Sequence, residues 1–321
     1  MRGERACTEC ALIVFCLLGL APAAFGGAGV PSGARVQISY ETPVVLGQLL
    51  VVEINASPAC INPVVLFHTR EFPSQAVGAT RHALVPIALG GKLGQRWLRV
   101  RCGSLEAVFA VEVEEGNYPV SELSVASRFV SKPPARVRRE SRAIKKALGV
   151  VTPFRGWGRA FLRPAQGEFT SPFGVRREFN QTLKSRHRGL DIDGAIGDPV
   201  VAANDGRVVL AAKDFFYVGN AVILDHGHKL FTLYFHLDSL AVHEGQTIRR
   251  GDSLGTIGQT GRVTGPHLHF ATKLAGVYFN PEDLLAWDPN PATHLAGHRR
   301  WHNPAYWGGE WRRGEETASA R

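Results

Sequence analysis

The chain has 321 residues, 45% apolar and 20% charged, with a formal net charge of +9. That length suits about two domains, and the composition excludes disorder over the whole chain. Thirty-five glycines and 19 prolines against one methionine argue for strands and loops rather than a helical bundle. Beyond the N-terminus no apolar run reaches the ~20 residues that cross a bilayer.

Residues 1–26 read as a secretory signal peptide. Arg2 and Arg5 form a short basic region, Ala11 to Leu20 an apolar core, and Ala21-Pro22-Ala23 a small-residue stretch that suits cleavage after Ala23 or Gly26. An uncleaved membrane anchor is the alternative, since Ala11 to Val30 carries no charge; Pro22 and the nearby glycines disfavour a spanning helix. Phe15 before Cys16 is too large for a lipoprotein signal. Cleavage would remove Cys7, Cys10 and Cys16, leaving Cys60 and Cys102. Two cysteines in an exported chain predict one disulfide, whose loop the chain-entropy argument values at roughly 4 kcal/mol. Two separately buried thiols are the alternative.

Residues 34–127 predict an all-β accessory domain. The segments VQISY, LLVVEI, VVLFHT, LVPIAL, RWLRVRC and AVFAVEVEE are rich in valine and aromatics and are separated by Gly, Pro and Asn turns. This pattern predicts a small β-sandwich and admits an immunoglobulin-like arrangement. Cys60 and Cys102 would staple it, and no clustered acid, base or nucleophile lies within it.

The charge is uneven. Residues 34–127 hold 7 basic and 8 acidic side chains and residues 167–287 hold 12 and 13, whereas 128–166 hold 11 basic groups and one acid, Glu140. This basic linker is either solvated or a tether to an anionic polymer or surface, with residues 128–146 as the contact. Residues 134–148 predict a helix, bounded by Pro133, Pro134 and Gly149. Val137, Ile144, Ala147 and Leu148 give it only a narrow apolar stripe, too little for a helix lying on a membrane. Gly156 to Gln166 reads as loop, with Trp157 and Phe161 packing on a neighbouring domain.

Strand pairs return over 167–287. DPVVAANDGRVVLAA turns at Asn204-Asp205-Gly206, NAVILDHGHKLFTLYFHL turns at His226-Gly227-His228, and PHLHFATKL is a closing strand. The glycine spacing in VHEGQTIRRGDSLGTIG suits an antiparallel β-barrel or hybrid sandwich, so the chain is expected to be mainly β. The tail, 288–321, lacks periodicity and is read as poorly ordered. His294, His298 and His302 recur there every four residues, but no glutamate of the H-E-x-x-H kind lies between them.

Chemistry concentrates in the C-terminal domain. His187 and Asp191 lie four apart in HRGLD, and His267 and His269 lie two apart in PHLHF, where a strand points both to one face. His236 ends LYFHL. A catalytic zinc needs about three nitrogen or oxygen ligands and an open position for water. His187, Asp191 and one of the closing histidines would supply that set, leaving the other and His236 for proton transfer. Two neutral imidazoles and one carboxylate leave the site a formal +1, which polarises a peptide carbonyl and acidifies bound water. Asp193 is either a partner of this cluster or a turn carboxylate. Arg176 and Arg177 are candidates to line a groove. Phe215, Phe216 and Tyr217 either wall a peptide groove or form a packed loop. His226 and His228 are expected to face solvent at a hairpin tip.

The stretch from GEFTSPFG through HRGLD, LYFHL and TGPHLHF resembles the lysostaphin-type zinc endopeptidases of bacterial cell walls. The likeness spans about 120 residues, and its H-x-x-x-D, H-x-H and Tyr-x-His-Leu motifs are specific. It implies one zinc ion per chain, held by His187, Asp191 and His269, with His236 and His267 in the catalytic histidine positions. It also implies peptidoglycan as substrate, in a periplasm, a cell envelope or outside the cell. Phe235 departs from the small residue usual before that histidine; strand alternation is expected to send it away from His236. Some relatives lose ligands and only regulate other hydrolases, whereas this chain keeps all of these residues.

Other classes fit less well. A biotinyl or lipoyl carrier would need a lysine at a hairpin tip, and neither turn has a central one. A nucleic-acid binder would need aromatics interleaved with the basic linker. A catalytically silent wall-binding module or regulator remains the alternative to an exported zinc endopeptidase, and membrane contact is expected only if the signal is retained.

Overall fold

The strand Leu105–Glu114 shows why the N-terminal half folds as it does. Leu105, Ala107, Phe109, Val111 and Val113 are buried and the residues between them are not, so one face must be covered by another layer. In the computed structural model, which describes residues 35–58, 60–77, 80–131, 134–181, 183–289 and 312–319, that layer is a second sheet. One sheet holds Gln75–Val77, Thr80–Pro86, Leu49–Ala56, Arg35–Thr42 and Arg312–Ser319 in that order; the other holds Val44–Val45, Leu105–Glu114, Gly94–Cys102, Val64–Phe67 and Arg70–Pro73. Ile38, Val52, Ile54 and Val85 of the first share a core with Leu98, Val100, Phe109 and Val111 of the second. Cys102, ending a strand of the second sheet, is bonded to Cys60, in the loop after a strand of the first.

Two segments depart from the expected boundaries. The tail, expected to lack regular structure, contributes the edge strand Arg312–Ser319, paired antiparallel to Arg35–Thr42. Val120–Leu123 leaves the sandwich and pairs in parallel with Arg176–Phe179, whose hairpin partner is Leu183–Arg186. The signal-like segment 1–26 and His294, His298 and His302 lie outside the described residues.

The C-terminal half is an antiparallel sheet in the order Phe169–Ser171, Leu190–Asp193, His267–Leu274, Leu230–Leu240, Gly219–Asp225, Gly206–Phe215 and Thr247–Ile248. Pro199–Val201 and Ser253–Ile257 form an offshoot that joins Leu230–Leu240. One face buries Leu190, Ile192, Tyr234, Leu268 and Phe270. The other buries Leu210, Ile223, Leu233 and Ala271 and receives the predicted helix, Arg136–Ala147, through Ala143, Ile144, Ala147 and Leu148. The narrow apolar stripe therefore suffices for docking on protein. Glu140 anchors it: its buried carboxylate accepts from the Phe216 amide at 2.9 Å and pairs with Arg136 at 3.4 Å. Arg138, Arg139, Arg142, Lys145 and Lys146 remain exposed.

The following loop wraps the same half, with hydrogen bonds from Gly156 N to His226 O and from Leu162 N to Ala203 O, both 2.8 Å. Trp157 packs on Trp287 and Phe161 on His226, at ring separations of 5.7 and 5.3 Å. This corrects the expectation for His226. It is fully buried, bonded to Asp205 O and Thr232 Oγ1 at 2.7 Å each, and burial holds its pKa down at about 4. His228 is exposed as expected.

The sandwich meets the C-terminal half through the short helix Pro281–Ala286. Asn280 N donates to Gly47 O, and Leu49 N donates to Asp283 Oδ2, each at 2.7 Å. Gly47 has φ +91°, and a Cβ there would lie 2.6 Å from the Tyr118 hydroxyl, so the junction requires glycine. Burial pushes the Asp283 carboxyl up to about 8 and Glu282 up to about 7. A carboxyl raised above its unfolded value favours the protonated fold. That stability is complete below the unfolded pKa and is lost as pH rises through about 8. Histidines held near 4 add nothing to the slope above the ordinary histidine range. Thermal unfolding should therefore fall by about a degree or two from pH 7.5 to 9. Asp283→Asn, which keeps an acceptor for Leu49, should flatten that slope and leave a residue due to Glu282; an unchanged slope in scanning calorimetry would contradict the assignment.

Candidate active site

The register between two strands assembles the site. Leu190–Asp193 pairs with His267–Leu274 so that Asp191 faces His269 and Asp193 faces His267, and Phe235 of Leu230–Leu240 faces His269 from the other side. Because Leu190, Ile192, Leu268 and Phe270 fill the opposite face, Asp191, His267 and His269 must share this one. His187 follows the strand Leu183–Arg186 and is fixed by its backbone: its N–H donates to Val175 O at 2.8 Å and its carbonyl accepts from Gly174 N at 2.9 Å. Gly189 completes the HRGLD motif sterically. A Cβ there would lie 2.6 Å from the His269 ring and from Phe270 O.

His187 Nε2, His269 Nδ1 and Asp191 Oδ1 converge. The pairwise separations are 3.0 Å between the two histidine nitrogens, 3.0 Å from His187 to the carboxylate and 2.8 Å from His269 to it. His187 Nδ1 lies 2.8 Å from Pro172 O, to which it donates, so its Nε2 presents a lone pair to the cluster. Two ring nitrogens and a carboxylate oxygen directed at one point are a donor set that a cation satisfies, and His187, Asp191 and His269 are the metal-compatible group among the described residues. Burial alone would raise the Asp191 carboxyl, but the imidazoles of His187 and His269 outweigh it and hold it well below the usual carboxylate range. Burial lowers His269 to about 4 against the pull of Asp191, keeping the imidazole neutral as a ligand must be.

The other two histidines flank this cluster. His267 lies with Nε2 3.8 Å from Asp191 Oδ1 and Nδ1 2.9 Å from Gly265 O. His236 lies 5.0 Å from the His267 ring and 5.9 Å from the His269 ring. Its Nδ1 donates to Thr260 O at 2.8 Å, leaving Nε2 as the free ring nitrogen. Burial first, then the neighbouring His269 and His267, hold its pKa well below the ordinary histidine value.

A β-bulge corrects the expected orientation of Phe235. Val222 and Asn220 pair with Tyr234 and Leu237, so one extra residue is accommodated and His236 takes φ +67°. Tyr234 and Leu237 both enter the large core, while Phe235 and His236 both approach His269. The Phe235 ring stacks on His269 at 5.6 Å with 6° between planes, limiting its rotation.

Other candidates separate. Arg177 donates to Asp191 Oδ2, the oxygen turned away from the histidine pair, and to Ser171 Oγ at 2.7 Å, while Arg176 pairs with Glu115 at 3.3 Å. Asp193 is exposed and makes no side-chain hydrogen bond to the cluster among the described residues. Phe216 is buried against Phe129, whereas Tyr217 is half-buried beside Arg262. Sequence reasoning missed Pro172, Thr260 and Arg262. The two carbonyls carry no side-chain signal, and the glycines around Thr260 mark only the tight loop.

Residues 185–281 match the model of one protein family, Peptidase family M23. The chain is 38% identical over 147 residues to the peptidoglycan DD-endopeptidase ShyB of Vibrio cholerae, covering 46% of this chain and 34% of that protein. It is 38% identical over 112 residues to the DD-carboxypeptidase/endopeptidase Mpg of Neisseria meningitidis, covering 35% and 26%. The chain thus spans about a third or less of the length of these relatives. Among solved structures, a peptidase M23 from Pseudomonas aeruginosa superposes with a TM-score of 0.60 at 27% identity, over 76% of this chain and 96% of that one. That stretch is longer than the family match and takes in part of the N-terminal half.

The geometry separates ligand candidates from their neighbours. Alanine at His187, Asp191 or His269 should abolish stoichiometric zinc binding, since two remaining ligands hold a metal poorly. Alanine at His267 or His236 should leave about one zinc per chain. Gly189→Ala should fold yet bind zinc weakly, because its methyl group displaces the His269 ring. Metal analysis after dialysis reads all six, and zinc-free His267→Ala beside zinc-loaded His269→Ala would reverse the assignment.

Proposed function

We propose that this protein, whose residues 185–281 match the model of peptidase family M23, is an exported zinc endopeptidase that hydrolyses peptide cross-links of peptidoglycan. One observation carries the reading: three ligand atoms converge within hydrogen-bonding distance, with two further histidines beside them. The similarity to relatives named as peptidoglycan DD-endopeptidases supports the substrate. The Cys60–Cys102 bond suits an oxidising compartment such as a periplasm or cell envelope.

His187 Nε2, His269 Nδ1 and Asp191 would hold zinc, the usual choice of two imidazoles and a carboxylate. When bound, zinc supplies a Lewis acid that polarises the scissile carbonyl and lowers the pKa of water. This chain's own groups do the rest. Pro172 O and the Phe235 ring fix the two ligand imidazoles. Arg177 fixes the carboxylate through its second oxygen. His236, neutral and with Nε2 free, takes a proton from the attacking water. His267, on the more exposed side, delivers a proton to the leaving amine.

Incubation with purified peptidoglycan should release fragments whose masses locate the cleaved amide. Chelation should stop the release and zinc restore it. His236→Ala should lower turnover ~10²–10⁴-fold with its zinc retained. A zinc-loaded protein that releases nothing would instead be a silent wall-binding module or regulator.

The docked basic helix is proposed as the contact to anionic wall polymers, because Arg138, Arg139, Arg142, Lys145 and Lys146 lie exposed on its outer side. Binding to isolated sacculi should weaken steeply as salt shortens the Debye length below ~8 Å. Neutral replacements at those positions should reduce binding without altering hydrolysis of a soluble peptide. Salt-independent binding would refute the contact.

A further inference from the structure

Near Arg177, which holds Asp191, sits a second cation, Arg262. Among the described residues the Arg262 guanidinium makes no hydrogen bond and no ion pair, although the residue is only partly exposed. Taking a cation out of water without a counter-charge is unfavourable, and burial together with nearby Arg177 lowers its pKa. Two rings hold it in place: its central carbon lies 4.2 Å from the Phe179 ring centre and 4.8 Å from that of Tyr217. A guanidinium held by aromatic contacts keeps its N–H donors at the edges, where a planar acceptor can meet two of them at once.

Its position ties it to the chemistry. Arg262 N donates to Tyr217 O at 2.9 Å, and two residues earlier Thr260 O accepts from His236 Nδ1. Arg177, close enough to act on Arg262, is hydrogen-bonded to Asp191. Arg177 is thus committed to a ligand, while Arg262 is not. Its loop leads directly to His267 and His269.

We propose that Arg262 is a specificity-determining residue that binds a carboxylate carried by the peptide substrate next to the amide to be cleaved. This rests on the endopeptidase reading and names a feature of its substrate. The acceptor is a carboxylate because a planar two-oxygen group matches the guanidinium edge. The feature distinguishes cross-links whose leaving amine stands beside a free acid from those built of neutral residues.

The test uses two branched peptides, identical except that the carboxylate α to the scissile amine is free in one and a primary amide in the other. With the zinc-loaded protein, kcat/KM should favour the free acid by about 10- to 100-fold, the range of one or two charge-assisted hydrogen bonds. Arg262→Met keeps the stem between the rings and should collapse that ratio to near unity, whereas Arg262→Lys should keep only part of it. Equilibrium binding of the two amine-side products gives an independent readout. Tighter binding of the free acid, lost in Arg262→Met at unchanged zinc content and unfolding temperature, supports the subsite even if neither peptide is cleaved, in which case only the endopeptidase reading fails. Equal binding of acid and amide, or discrimination that survives in Arg262→Met, overturns the proposal.

Discussion

The pairing of Asp191 against His269 is the constraint on which the rest of the site depends. In an antiparallel ladder, a slip of one residue moves every side chain to the opposite face. Here such a slip would put Asp191 and His269 among the core residues and bring Leu190 or Phe270 to the surface. The buried set of Leu190, Ile192, Leu268 and Phe270, each fully enclosed, forbids it. The apolar face thus selects the register, and the register brings the polar atoms together. The stability of the sheet and the geometry of the donor set come from the same contacts.

Around that pairing, smaller devices finish the geometry. Gly189 removes a side chain where the His269 ring must pass. The bulge at His236 turns toward the site a residue that regular alternation would bury. A non-glycine residue at positive φ is held only where its surroundings over-determine it; here the His236 amide bonds to Val218 O and its ring to Thr260 O. Backbone carbonyls of Pro172, Thr260 and Gly265 each accept a hydrogen bond from a histidine Nδ1, leaving each Nε2 with a lone pair. His269 differs, turning Nδ1 to the cluster.

The N-terminal half takes part through structure rather than through reacting groups. Val120–Leu123 extends the hairpin that carries Arg177, and Asn180 bonds both ways to Val125, at 2.9 and 2.8 Å. The Asp283 carboxyl group and the Gly47 carbonyl join the sandwich to the helix that follows the closing strands. The basic segment between the halves is likewise part of the fold, since Glu140 caps a loop amide of the C-terminal sheet.

Period-two patterns were legible in the sequence by itself because burial of one strand face writes itself into every second residue. They determined the mainly β character and the shared face of His267 and His269. The donor types of His187, Asp191 and the histidine pair also marked out a metal-compatible group, and export logic paired Cys60 with Cys102. Tertiary structure alone decided what depends on contacts between distant segments. The bulge that sets Phe235 and His236 side by side appears only when three strands are in register. The burial of His226 depends on a loop arriving from Gly156 and Phe161. Whether His267 or His269 lies nearest Asp191 was open in the strand pattern, since both share a face. The cross-strand pairing settled that proximity, at 2.8 Å for His269 against 3.8 Å for His267, because directly opposed residues approach more closely than diagonal ones.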